Sequence, residues 1–210
     1  MLLDKLQPYT CKTAEFAYKC FHKGAKWLIK HNISANIITF CGLVFAIIGL
    51  NFLALGNNIP ALICLIFNRI CDILDGMCAR LKQITSFGAF FDILADYTSF
   101  ALFIWGFTLS NPNTNSGAGI FMLVCLVISA VSLLSYALIS KQNYKLINRS
   151  NLKICIWGHI QNFDTFVALF LMCIFNQYFV PIAIFFSLLM LGKSLIISSK
   201  AFYILEIKKD

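Results

Sequence analysis

Charge is scarce in this chain. Only 12% of its 210 residues are Asp, Glu, Lys or Arg, 60% are apolar, and the mean hydropathy is +0.80. That composition leaves too little polar surface to cover a soluble globule of this size, which excludes a soluble fold. Paired cysteines are missing as well: the nine cysteines form no CxxC. Most sit inside apolar runs, where a thiol packs as a small hydrophobe, so reduced, structural cysteines are expected. Cys64, Cys71 and Cys78 recur every seven residues, which suits a helix-packing stripe; a thiolate metal site needs closer spacing and a partner ligand. No cleavable leader is expected either, because residues 1–32 are mixed and basic. The first apolar run itself serves as the insertion signal.

What the chain has in abundance is runs of roughly 20 apolar residues, the length that crosses about 30 Å of hydrocarbon. Six are legible: Ala35 to Leu55, Pro60 to Leu81, Ser86 to Leu109, Ile120 to Ser140, Ile154 to Phe175 and Tyr178 to Ser198. Short stretches rich in turn formers, such as GNN, NPNTNSGAG and NQ, separate some of them. The formal charge of +8 does not mark a nucleic-acid partner, because its distribution follows topology. Six of the seventeen Lys and Arg precede the first span and four lie between the fourth and fifth, while the first, third and fifth connections carry none. The positive-inside rule then places both termini in the cytoplasm.

Before the first span, TAEFAYKCFHKGAKWLIK sets Lys19, Lys23, Lys26 and Lys30 at helical spacing, with Phe16, Phe21, Trp27 and Leu28 elsewhere around the helix. Such a helix suits the cytoplasmic interface, its lysines toward anionic headgroups. The expected fold is therefore all-α and integral to the membrane: an interfacial amphipathic segment over residues 1–34, then six transmembrane helices over residues 35–210.

One stretch breaks the apolar pattern. DILDGMCARLKQITSFGAFFDILAD, Asp72 to Asp96, carries four aspartates. Spans two and three form an antiparallel hairpin turning near Gln83 and Ile84, and the two pairs of aspartates stand roughly 12–18 Å from that turn, at matching depth. On span two, Asn68, Arg69, Asp72, Asp75, Gly76, Ala79 and Arg80 share about 140° of the helix; on span three Gly88, Asp92, Ala95, Asp96 and Ser99 share one side. Each carboxylate at a helix centre costs about 2.5–3.5 kcal/mol on insertion scales, and like charges repel. Arg69 and Arg80 neutralise two at most. An oxygen-only ligand set then points to hard divalent cations, Mg²⁺ or Mn²⁺, with a pair of ions suiting four carboxylates that can bridge. Divalent metal, arginine and glycine-opened backbone together describe a site for phosphate, most naturally a diphosphate.

The run Asp72, Asp75, Gly76, Ala79, Arg80, Gly88, Asp92 and Asp96 resembles the signature of the CDP-alcohol phosphatidyltransferases: DxxDGxxAR, eight residues, then GxxxDxxxD. Here the stretch LKQITSF between Arg80 and Gly88 is seven residues long, and the shortfall falls in the turn. ISANIIT, at the start of span one, is similar to the family's PNxIT, with Ala35 where proline is usual. The resemblance implies displacement of CMP from a CDP-linked lipid or alcohol by an acceptor hydroxyl. Mapped onto this chain, it implies Asp72, Asp75 and Asp92 as metal ligands, and Asp96 as general base and further ligand. Gly76, Ala79, Arg80 and Gly88 then contact the CDP moiety, and a homodimer is the usual assembly.

The remaining polar residues mark an acceptor pocket without naming its occupant. His159, Gln161, Asn162, Asp164 and Lys193 are the candidates. His159 serves equally as an interfacial residue, and Asp164 as the partner of Lys193 or Lys153. A phosphorylated acceptor, glycerol 3-phosphate or inositol phosphate, needs clustered cations, which Lys141, Lys145, Arg149, Lys153 and Lys193 offer. LADYTSF is similar to LADxxSF in phosphatidylserine synthases and leans toward a free alcohol such as serine. The compact chain leans toward CDP-diacylglycerol as donor, with a CDP-amino-alcohol left open. An ion pathway in a transporter or channel is the contrasting reading. Such a path must cross the bilayer, yet PALICLIF and ALFIWGF in the outer halves of spans two and three offer almost no polar lining. A catalytically inactive scaffold of the same fold is the third, and metal-dependent release of CMP separates the enzyme from both.

Overall fold

The computed structural model describes residues 12–83, 85–142 and 163–206, with side chains for residues 21–83, 85–137 and 163–202. Among the described residues every regular element is a helix. In order they are α1 (Lys12–Lys30), α2 (Ala35–Ala54), α3 (Asn58–Leu81), α4 (Ser86–Ser110), α5 (Pro112–Gln142), α6 (Phe163–Ile174), a 3₁₀ turn (Asn176–Tyr178) and α7 (Phe179–Glu206).

The helix boundaries have local causes. After α1, Asn32 takes a left-handed φ of 59°; its N–H donates to the Ile29 carbonyl and that of Ile33 to the Leu28 carbonyl, both at 3.0 Å. After α2, Gly56 at φ 76° repeats the arrangement, with Gly56 and Asn57 N–H donating to Leu53 and Phe52 at 2.8 Å. Both are Schellman ends, which satisfy carbonyls the helix itself leaves open. The stretch NPNTNSGAG, expected as a connection, is helical from Pro112 onward. The reason is positional: proline is tolerated at the first helical residue, and the polar residues behind it find backbone partners. Asn115 Nδ2 donates to the Phe107 carbonyl at 2.9 Å, and the Ser116 hydroxyl donates to the Pro112 carbonyl.

Among the described residues, four helical stretches are long and apolar enough to cross a membrane: Ala35–Ala54, Ser86–Ser110, Pro112–Ala137 and Asn176–Phe202. Helix α3 matches them in length at 24 residues, and Arg69, Asp72, Asp75 and Arg80 set it apart. Of the expected fifth span, the described part is α6; residues 154–162 lie outside the described residues. The faces of these helices are inverted relative to a soluble protein. On α5, Ile120, Val124, Val127 and Val131 recur at spacings of four, three and four, each 50–60% exposed, while Ser129 on the same helix is buried. An apolar stripe turned outward with polar residues inside is what lipid as solvent selects. The chain is a multi-pass membrane protein.

Two compact units divide the chain. The first takes the chain up to Phe45 together with Ile66–Ser99; the second takes Ala46–Leu65 and the chain from Phe100 onward. In the first, Ala25 of α1, Ile38 of α2, and Met77 and Cys78 of α3 form a core with Phe21, Leu28, Ile29, Ile33 and Leu74 packed against it. Lys23, Lys26 and Lys30 are exposed, and so is Trp27. In the second, Phe103, Ile104, Phe107, Met122, Leu169, Met172 and Met190 are fully or almost fully buried. Close approach there requires glycine: a Cβ on Gly49 would fall 2.5 Å from the Phe103 ring. Helices α5 and α7 are tied by a 2.6 Å hydrogen bond between the hydroxyls of Ser132 and Ser194.

Candidate active site in the aspartate hairpin

Helix α3 ends one residue beyond Arg80 and α4 begins at Ser86, so the two helices reverse direction over a few residues. The hairpin brings Asp72 and Asp75 of α3 to Asp92 of α4, with one carboxylate oxygen of each lying within 4.8 Å of the others. Asp75 is the deepest of the three, 3% exposed. Its Oδ2 accepts from Thr39 Oγ1 of α2 at 2.6 Å, while its Oδ1 is buried with no hydrogen-bond partner. A buried carboxylate oxygen without a donor is costly, and three converging carboxylates repel one another. A divalent cation answers both conditions, and an all-oxygen donor set is the one Mg²⁺ and Mn²⁺ take. The residues therefore fit a metal of that class.

Asp96 stands apart from this trio. Its Oδ1 accepts from Arg69 Nη2 at 2.9 Å, and Arg69 Nη1 reaches Asp72 Oδ2 at 3.3 Å. The guanidinium is in turn held by Asn68, whose Oδ1 accepts from Arg69 Nε at 3.0 Å and Nη2 at 2.7 Å. Asn68 Nδ2 donates to the Gly42 carbonyl of α2 at 2.9 Å and to Ser99 Oγ of α4 at 3.1 Å. One buried amide thus links three helices and aims the arginine. All four aspartates border a void of about 10 Å³, close to the size of a single water.

Beside the carboxylates opens a cavity of about 400 Å³, within the range of small-molecule sites. Gly76, Ala79, Arg80 and Gly88 all line it, with Asp75, Asp92 and Lys82. The seven-residue spacing between Arg80 and Gly88 leaves both on the same cavity. The Arg80 guanidinium lies over Gly76, where an added Cβ would stand 3.4 Å from Nη1. Thr85 caps α4, its hydroxyl accepting from the Gly88 N–H at 3.0 Å; the start of α4 therefore faces the cavity with its positive helix end. Asn36 and Thr39 also line the cavity. With Ser34, which lines the cavity too, they are the polar residues of ISANIIT; the sequence expectation did not single them out, although Asn36 and Thr39 stand three apart on one helical face.

The family model for CDP-alcohol phosphatidyltransferases matches residues 32–189 of the chain. The chain belongs to the CDP-alcohol phosphatidyltransferase family. It is similar to the inner membrane protein YnjF of Escherichia coli (strain K12), with 34% identity over 122 residues, 58% of this chain and 59% of YnjF. It is also similar to a protein of Aquifex aeolicus (strain VF5) described as uncharacterized, with 37% identity over 103 residues, 49% of each chain. The matches thus span about half to three fifths of these relatives' length.

Of the acceptor residues expected in this CDP-alcohol phosphatidyltransferase-family chain, His159 and Gln161 lie outside the described residues, as do Asn162 and Lys153. Asp164 of α6 forms an ion pair with Lys193 of α7 in the second unit, both side chains largely buried. Asp164 therefore has the cationic partner expected of it.

Proposed function

We propose that this chain moves a phosphatidyl group from CDP-diacylglycerol to the hydroxyl of an acceptor alcohol, releasing CMP, as a step in phospholipid synthesis. The observation that carries this reading is the convergence of Asp72, Asp75 and Asp92 at the edge of a 400 Å³ cavity whose wall holds Arg80, Gly76 and Gly88. Mg²⁺ or Mn²⁺ held by these aspartates, with Asp96 as a further ligand to a pair of ions, supplies Lewis-acid screening of the diphosphate charge.

The protein's own groups do the rest. Arg80 and the capped start of α4 receive phosphate oxygens. Gly76 and Gly88 carry no side chain, and Ala79 a small one, so the nucleotide can approach the helices closely. Asp96 takes the proton of the acceptor hydroxyl as that oxygen bonds to phosphorus and the bond from phosphorus to the CMP oxygen breaks. Arg69 ties the Asp96 carboxylate to Asp72.

In the membrane, the proposed arrangement is six spans with both termini and the site on the cytoplasmic side, α1 along the interface, and two copies per assembly. The lysine-rich exposed face of α1 and the charge asymmetry of the connections support the cytoplasmic orientation.

The test is direct. Purified protein, CDP-diacylglycerol and Mn²⁺ are incubated with serine, glycerol 3-phosphate or inositol phosphate, and CMP is followed. LADYTSF favours a free alcohol over a phosphorylated one. Turnover of CDP-choline or CDP-ethanolamine with diacylglycerol, and none with this panel, would reassign the donor. Undiminished CMP release by Asp96→Asn would remove Asp96 as the base.

A further inference from the structure

Arg69 occupies part of the carboxylate cluster as a built-in cation. Its guanidinium, 12% exposed, bridges Asp72 Oδ2 on α3 and Asp96 Oδ1 on α4. One carboxylate oxygen from each of Asp72, Asp75 and Asp92 lies within 4.8 Å of the others, and Oδ1 of the buried Asp75 has no hydrogen-bond partner. The four aspartates therefore make two places of different character. One gathers Asp72, Asp75 and Asp92 and holds a buried oxygen that lacks a donor; the other, between Asp72 and Asp96, already contains the Arg69 guanidinium.

We propose that the two ion places are unequal, and that Arg69 sets the order in which they fill. This rests on the metal-dependent reading above and deepens it. The first divalent ion enters among Asp72, Asp75 and Asp92 with Arg69 in place. A second ion at Asp96 meets the guanidinium at short range and must drive it off. Leaving strips two N–H donors from the buried Asn68 Oδ1, a cost that opposes the second ion and not the first. The void of about 10 Å³ among the aspartates has room for one ion-sized body without such a movement. Arg69 is thus a positioning residue: it holds Asp96 until the second ion, or a substrate carrying one, displaces it.

The experiment is Mn²⁺ titration of the purified protein without nucleotide, by calorimetry and by electron paramagnetic resonance. The wild type should bind one Mn²⁺ tightly and a second at least about tenfold more weakly. Spin coupling between two ions should appear only as the second place fills. Asp75→Asn should lose the tight ion. Arg69→Gln keeps an amide that can reach Asn68 and removes the charge; its second affinity should rise at least about tenfold. Arg69→Lys keeps the charge on a single point that cannot fork between two carboxylates; it should fall between the two, and it stands in for Arg69→Gln if that variant does not fold. Two equal ions in the wild type, or a second affinity unmoved in the Arg69 variants, overturns the ordering and leaves the metal reading intact. No Mn²⁺ binding to the wild type overturns both.

Discussion

The Thr39 hydroxyl of α2 donates to Asp75 Oδ2 of α3 across 2.6 Å, with both residues buried. The same hydroxyl lies 3.1 Å from the Ala35 carbonyl, but a single hydrogen goes to the shorter contact and the charged acceptor. That bond fixes one oxygen of Asp75 and leaves the other buried without a donor, so a residue of the first apolar helix orients the deepest carboxylate of the hairpin.

Thr39→Val keeps the shape and removes the donor. It should cost about 1–3 kcal/mol of stability and weaken Mn²⁺ binding about 10–100-fold, while Thr39→Ser should retain most of both. Thermal unfolding in detergent and Mn²⁺ titration measure the two effects. Wild-type metal affinity in Thr39→Val would mean that the hydroxyl does not position Asp75.

Metal removal gives a second check. Chelation with EDTA should abolish CMP release, and Mg²⁺ or Mn²⁺ should restore it. Asp75→Asn should lower release at least about a hundredfold at any metal concentration reached, since a direct ligand counts for more than the groups behind it. Release that survives chelation in the wild type would leave the aspartates without a metal role.

The two glycines of the cavity should respond differently to alanine. At Gly88 a Cβ would come within 2.9 Å of Thr85 Oγ1 and 3.2 Å of Asn36 Oδ1, displacing the cap of α4; Gly88→Ala should cost about 1 kcal/mol of stability as well as donor binding. At Gly76 the Cβ would meet the Arg80 guanidinium at 3.4 Å, an ordinary contact. Gly76→Ala should fold normally and raise KM for the CDP donor. Equal unfolding temperatures for the two variants would contradict this account of Gly88.

For the pair between Asp164 and Lys193, removing one partner leaves the other charge, only 20–25% exposed, without it. Asp164→Asn or Lys193→Met alone should destabilise by about 1–3 kcal/mol, the lower side of the buried range because both side chains keep some exposure. The double variant should recover part of that loss. Additive losses in a double-mutant cycle would show that the pair is not coupled.

Helical character, the hairpin and the level placement of its aspartates were legible before any coordinates, because they follow from one-dimensional quantities: run length, the 1.5 Å rise and the 100° step. The first turns of α5 were not. Asn111 to Gly119 has the composition of a loop, and only the proline's position at the helix start and the backbone partners of Asn115 and Ser116 make it helical.

The same divide runs through the site. The run from Arg69 to Asp96 announces four carboxylates on facing helices, and Arg69 and Arg80 as the cations within reach. Spacing along a helix cannot say which oxygen meets which cation, since that depends on how a second and a third helix approach. Packing settled it: Arg69 spans Asp72 and Asp96, Thr39 from another helix takes one oxygen of Asp75, and the opposite oxygen is left without a donor. Periodicity places side chains on faces, whereas hydrogen bonds between faces exist only once the helices have docked.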